Sequence, residues 1–381
     1  MKKFLLGLLI VTTAFTTMAA EKEESKYSIK ASGYVNMRVA YDFNGAINSH
    51  PDFVTSLIPV PGDFSNQQEF YMDATTSRFE VKGLAKDTAV GDVELCLNMD
   101  FHGGDKGSYT PRLRLAYVAF ADFLIGRHYT TFADMGVACP NIDFEGPNVC
   151  PYIYTTQIRY THTFDSNITL GGAVEYHGYS SNSLFGDIEE VDVKAPTIPA
   201  YVEYAWDSQL GSHVRLTGLY KNISLYNTAD EKNINLAAWG TQFSGSFGIG
   251  KRVKLLYSGT CGEGITDFMQ DLYGSGLDVT VNTATSDPRM TFMNGFQFIG
   301  MVHATDRLMF TAGYSQVNIE GDDSRFAVTD FRQSEYAFGN VFYNLTPRIQ
   351  IAAEYLWGKR TNVDKASNTA NRINTMIQYN F

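Results

Sequence analysis

No stretch of this 381-residue chain approaches the run of about 20 apolar residues that a helix needs to cross a bilayer, although 44% of its residues are hydrophobic. An inner-membrane helical protein is thereby excluded. Positive charge is also scarce, with 30 Lys and Arg against 41 Asp and Glu and a formal charge of −11. Without a basic run to displace counterions from phosphates, a nucleic-acid partner is not expected. Cysteine is rare. Cys96, Cys139, Cys150 and Cys261 have no metal-ligand spacing, so neither a metal site nor any cofactor is expected. Walker and Rossmann glycine patterns are absent, as is a Gly-x-Ser-x-Gly nucleophile turn.

What is present begins with a leader. Lys2 and Lys3 precede the apolar run Phe4 to Ile10, and small residues follow to Met18-Ala19-Ala20. That order is a secretory signal peptide over residues 1–20, and its apolar part is too short to span a membrane. The remaining 21–381 carry 28 basic and 41 acidic residues. In an oxidising periplasm Cys139 and Cys150 are candidates for a disulfide across a short loop, and two ordinary thiols are the alternative.

Beyond the leader the apolar pattern has a period of two. Val93, Leu95, Leu97, Met99 and Phe101 alternate with Glu94, Cys96, Asn98, Asp100 and His102. Leu113, Leu115 and Tyr117 are assigned to one face and Arg112 and Arg114 to the other. Many segments run to about 10 residues or more, the length of a tilted transmembrane strand. Strand centres fall near residues 35, 79, 97, 116, 126, 158, 172, 202, 217, 238, 256, 295, 311, 340, 353 and 377, those at 126 and 238 being weak. The expected fold is all-β, a sixteen-stranded antiparallel transmembrane barrel in the outer membrane of a Gram-negative bacterium, in contact with its lipid. Short connections at 165–167, 207–212, 248–250, 304–306 and 346–347 read as periplasmic turns. Stretches at 45–69, 129–151, 178–196, 259–288, 318–333 and 359–370 read as long loops. No plug domain is expected ahead of the first strand, and the chain ends on an aromatic strand face with Ile377, Tyr379 and Phe381.

Alternation assigns Arg38, Arg78, Arg112, Arg114, Arg127, Arg159, Arg215, Arg348 and Arg372 to the lumen or its edge. Two readings follow. The arginines form a track that guides anions, or they are neutralised by Glu80, Glu94, Asp100, Glu175 and Glu354 on the same wall.

The segment from Arg112 to Thr161 is the most informative. A strand ending in Gly126-Arg127 leads into a loop at about 129–151 containing Thr131-Phe132-x-Asp134 and Asp143-Phe-Glu145-Gly-Pro, then a return strand with Arg159. Over about 55 residues this resembles the DcaP-like family of trimeric outer-membrane porins. The resemblance implies a homotrimer with an inward-folded constriction loop that passes small, often anionic, organic solutes. It places Arg112, Arg114, Arg127 and Arg159 inside the pore, with Thr131, Phe132 and Asp134 on the entering loop. The expected function is therefore a non-enzymatic diffusion channel. A closed structural or adhesive barrel is one alternative, and an outer-membrane hydrolase, for which four lumen histidines exist without a nucleophile motif, is another.

Overall fold

The computed structural model describes residues 26–45, 47, 52–61, 68–104, 107–177, 187–282 and 285–381; the leader at 1–20 lies outside them. In chain order the strands are β1 (Tyr27–Asn44), β2 (Glu69–Asp73), β3 (Arg78–Thr88), β4 (Gly91–Asp100), β5 (Arg112–Phe120), β6 (Phe123–Tyr129) and β7 (Tyr154–Thr163). There follow β8 (Ile168–Tyr176), β9 (Ile188–Glu190), β10 (Ile198–Trp206), β11 (Ser212–Asn227), β12 (Lys232–Ile249) and β13 (Val253–Glu263). The last are β14 (Val279–Asn282), β15 (Asp287–Met290), β16 (Phe292–His303), β17 (Leu308–Glu320), β18 (Phe331–Asn344), β19 (Ile349–Asn362) and β20 (Ser367–Asn380).

Eighteen of these form one antiparallel sheet. β2 and β3 both pair with β1 and are two pieces of one stave. β9 and β10 both pair with β11 and make another, so the sheet has sixteen staves. It closes where β1 pairs with β20, from Tyr34 opposite Asn380 to Asn44 opposite Asn371. Phe381 then exchanges both backbone hydrogen bonds with Gly33, at 3.0 and 3.3 Å. A closed sheet leaves no edge for lipid to strip of its hydrogen bonds. The small hairpin β14–β15 stands apart from the barrel sheet.

Burial decides between a soluble and a membrane sheet. On β4 the apolar Leu95 and Leu97 are 55% and 58% exposed, while Asn98 and Asp100 are 5% and 0%. The outward face of the staves is apolar, as a hydrocarbon surround requires, and the polar side chains turn inward, joined on some staves by apolar ones that meet the loops. Seven connections of two to five residues (89–90, 121–122, 164–167, 207–211, 250–252, 304–307 and 345–348) gather at one end, and the long ones, with the short turns 228–231 and 363–366, at the other. Short turns mark the periplasmic end of such barrels.

Three details depart from the pattern expected from sequence. The β4–β5 register shifts between Asn98 and Met99, leaving Arg114 as an extra residue. Beyond this bulge the alternation changes sides. Tyr117 therefore faces inward, opposite Cys96, and donates to Glu94 at 2.7 Å. Gly248 and Ile249 belong to β12. Most of 359–370 is strand, with only 363–366 connecting β19 to β20.

Candidate functional site

Gly126 prepares the entry to the long loop between β6 and β7. Its φ of +137° is one that side-chain-bearing residues rarely adopt, and a Cβ there would lie 2.2 Å from the Ala116 carbonyl oxygen. After it, Arg127 turns to the cavity, donates to the Leu113 carbonyl at 3.2 Å and lies over the Tyr154 ring at 5.3 Å.

The loop, 130–153, crosses the lumen. At its root the Thr130 hydroxyl and the Thr131 N–H both donate to Glu175 of β8, each at 2.6 Å. Asp134 then accepts from Gly136 N–H at 2.8 Å and from Ser244 of β12 at 2.6 Å. On the far wall the Ile142 and Asp143 N–H groups donate to Glu354 of β19 at 3.0 and 2.7 Å. Tyr336 of β18 donates to Asp143 at 3.0 Å. Farther along, Val149 rests where a Cβ on Gly295 would lie, 2.6 Å away. That glycine of β16 leaves space for the loop to dock.

Two further loops join it. Thr55 from 45–68 and Ser334 of β18 donate to Asp271 from 264–291 at 3.0 and 2.9 Å. Asn148 of the crossing loop donates to Thr55 and Ser334 at 3.2 and 3.0 Å. Beside this node Phe132, Val149 and Ile153 pack with Ile265, Phe268, Met269 and Leu272 against Leu219, Met293 and Val317 of the wall. Half of the lumen is thereby filled with apolar side chains.

The other half remains open as a cavity of about 690 Å³. Arg38, Arg78, Arg112, Arg114 and Arg127 line its barrel wall, and Asp52, Asp143 and Glu145 face it from loops. Two carboxylates on the wall account for three of the arginines. Arg38 pairs with Asp73 at 2.5 Å, and Arg112 and Arg114 share Asp100 at 2.8 and 2.9 Å. Among the described residues Arg78 and Arg127 have no ion-pair partner, and the buried Nε of Arg78 has no hydrogen-bond partner. Aromatic rings support the fans: Arg78 over Tyr34 at 5.3 Å, Arg112 and Arg114 over Phe144 at 5.2 and 5.1 Å. Two of the opposing loop acids hold their protons more tightly than a free carboxyl does. Burial, with the negative charges of Glu354 and Asp52, raises Asp143 to about 7. Burial and neighbouring carboxylates hold Glu145 well above the usual carboxylate range. Below about pH 7 these two acids therefore offset little of the wall's positive charge.

The remaining sequence-predicted residues fall elsewhere. Arg159 lies below the crossing loop, donating to Thr131, Gln157 and the Tyr129 carbonyl. Arg215 is beside it, 3.6 Å over the Tyr201 ring. Arg372 is buried against Asp42 at 2.6 Å, and Arg348 sits on an exposed turn. Of the five acids assigned to neutralise arginines, only Asp100 does so. Glu80 and Glu94 accept from Asn98 and Tyr117, and Glu175 and Glu354 hold the loop.

The Cys139–Cys150 bridge is not formed. Both thiols are free, Cys139 donating to Asn141 and Cys150 to Gln297 of β16. Burial pushes Cys150 up to about 12 and Cys139 well above its ordinary value. The anchors Asn148 and Asp271 escaped the sequence reading, and Glu354 entered it only as a wall charge, because each acts through partners far along the chain.

A hydrogen-bonded row Asp134–His213–Ser246, with steps of 2.8 and 3.0 Å, contains the residue types of a hydrolase. The Ser246 hydroxyl is buried, donates to the Gly211 carbonyl, and is not on the wall of the adjoining cavity. It does not meet a substrate as a nucleophile must.

A sequence model of the family described as DcaP outer membrane protein matches residues 10–381. Among solved structures, the outer membrane channel DcaP of Acinetobacter baumannii is similar with a TM-score of 0.80 at 19% identity, covering 96% of this chain and 100% of that one. The trimer form of OmpT, an outer membrane protein of Vibrio cholerae, gives 0.59 at 14% identity over 93% and 99%. Salmonella typhi OmpF, solved in complex with daunomycin, gives 0.59 at 12% identity over 95% and 100%. At these identities the likeness is one of fold. No curated protein matches the chain in sequence.

Proposed function

Because the chain belongs to the DcaP outer membrane protein family, we propose that this outer-membrane porin is a passive channel for small hydrophilic solutes that favours anionic organic ones. The observation that carries the preference is the wall of the 690 Å³ cavity, where five arginines meet only two wall carboxylates. Fixed positive charge in a narrow, partly desolvated passage lowers the barrier for anions and raises it for cations. The rings of Tyr34, Phe144 and Tyr154 add flat apolar surface that suits the carbon skeleton of an organic anion. Arg159 and Arg215 continue the positive charge below the loop. Thr131, Phe132, Asp134, Asp143 and Glu145 shape the constriction rather than touching solute chemically, and no step of bond breaking is assigned. We propose that three chains associate through the apolar outer wall; the Vibrio cholerae neighbour has a trimer form.

The test is single-channel conductance of the folded protein in a planar bilayer, with reversal potential under a salt gradient. Stepwise openings with anion preference agree with this function. A silent membrane with correctly folded protein would overturn it in favour of a closed barrel, and cation preference would overturn the arginine reading alone.

A further inference from the structure

A second cavity of about 330 Å³ lies under the root of the crossing loop, lined by His128, Arg159, Asp134, Glu203, His213 and Arg215 among others. Three of these converge. One donor atom each from Asp134, Glu203 and His213 lies within 4.8 Å of the other two. They come from separate segments: the loop, β10, and the start of β11 just after the short turn at 207–211. No sequence spacing announces such a set.

Each member is prepared differently. His213 Nε2 is 2.8 Å from Asp134, and its Nδ1 is 3.0 Å from the Ser246 hydroxyl. A second ring nitrogen fixed in this way is the usual support of a metal-binding histidine. Asp134 keeps its other oxygen on the Gly136 N–H at 2.8 Å. Glu203 is half-buried and faces the same space, yet it forms no hydrogen bond or ion pair among the described residues. The neighbouring cations are engaged elsewhere. Arg215 donates to the Thr131 carbonyl at 2.6 Å and to Thr217 at 3.0 Å, and Arg159 to Thr131, Gln157 and the Tyr129 carbonyl. Arg215 feels the charges of Asp134 and Glu203 without hydrogen bonding to either, so the Glu203 oxygens stay open to a ligand.

We propose that Asp134, Glu203 and His213 form a binding site for one divalent transition-metal ion, zinc(II) being the representative, on the periplasmic side of the constriction loop. Two carboxylates and one imidazole suit an ion of intermediate hardness. Bonds of about 2.0–2.2 Å require the three side chains to close slightly, with a fourth position left to cavity water. Binding exchanges the His213–Asp134 hydrogen bond for two metal bonds. The His213 proton then sits on Nδ1, facing Ser246. An ion held there ties the loop root to β10 and β11 and adds positive charge at the exit of the passage.

The experiment is a titration of the folded, detergent-solubilised protein with zinc(II) against a chromophoric chelator, repeated with cobalt(II) for its visible absorption. One ion per chain is expected. Glu203→Gln, which breaks no contact, should weaken binding at least tenfold and change the cobalt spectrum, and His213→Gln should do the same. Wild-type protein that binds no ion overturns the proposal, as does undiminished binding by Glu203→Gln. If His213→Gln loses the folded form in heat-modifiability gels, Glu203→Gln alone decides. None of these readouts depends on permeation, so a failed metal site leaves the channel function standing.

Discussion

The two halves of this lumen share one barrel and have opposite contents. Along β1 to β7 the wall carries arginines and faces open space; along β11 to β19 it meets three loops and is filled with Phe, Met, Ile and Val side chains. The number of staves fixes the width of a barrel, but the loops decide which part of that width stays open. Here the crossing loop is fastened at its root and at its middle by buried glutamates, Glu175 below and Glu354 on the far wall. Charge in one half therefore depends on packing in the other, since the packed half presses the loop toward the arginines.

Breaking the filled half should have the largest effect. Phe132 is fully buried and meets Phe268 edge-to-face at 5.8 Å. Phe132→Ala is expected to cost about 3–5 kcal/mol in denaturant unfolding and to give larger, noisier single-channel currents as the loop loosens. Next comes the open half. Arg78→Gln with Arg127→Gln removes the two arginines that lack carboxylate partners, and the anion-to-cation permeability ratio should fall several-fold. Arg112→Gln should change it less, because Asp100 keeps Arg114 as its partner. An Arg112→Gln effect half that of the double variant, an equal change per charge removed, would show that pairing on the wall is irrelevant to selectivity.

A smaller effect couples the halves through pH. Asp143 touches Tyr336 and the Phe53 N–H, and faces Glu354, Asp52 and Arg372. Its carboxyl, raised to about 7, is neutral below that pH and negative above it. Anion preference should therefore decline as pH rises from one unit below this value to one unit above. Asp143→Asn should flatten that part of the profile in reversal-potential measurements, leaving any contribution from Glu145. The smallest effect is expected from reductant. Because Cys139 and Cys150 are free, thiol reduction should leave conductance and gel migration unchanged.

The barrel itself was legible because alternation is a local property. Each expected strand centre lies inside a barrel strand, even the weak ones near 126 and 238. The first was weak because Gly126 interrupts the alternation at the point where the loop must leave the wall. Tyr117 was put on the wrong face because one extra residue opposite Asn98 and Met99 shifts the count, and a period of two has no way to signal such an insertion. The arginines were found, but not their pairing, which depends on neighbouring staves. Least legible was the filling of the lumen. Ile265, Phe268 and Met269 sit in a loop with no period, and their partners Phe132 and Val317 lie far away in sequence. Glu354 reads as ordinary polar lining until the N–H groups of Ile142 and Asp143 are seen to end on it.

The node at Asp271 also has a bearing on the order of assembly. Its partner Thr55 is 216 residues away, and the Ser334 hydroxyl that completes it belongs to β18, the third stave from the end of the chain. Contacts so distant along the sequence form late, after shorter closures have lowered the entropy of bringing them together. The staves must be nearly all in place before this point has its partners. By the same count the β1–β20 seam, where Asp42 and Arg372 are 330 residues apart, closes no earlier, so the passage reaches its final bore only in the last steps of assembly.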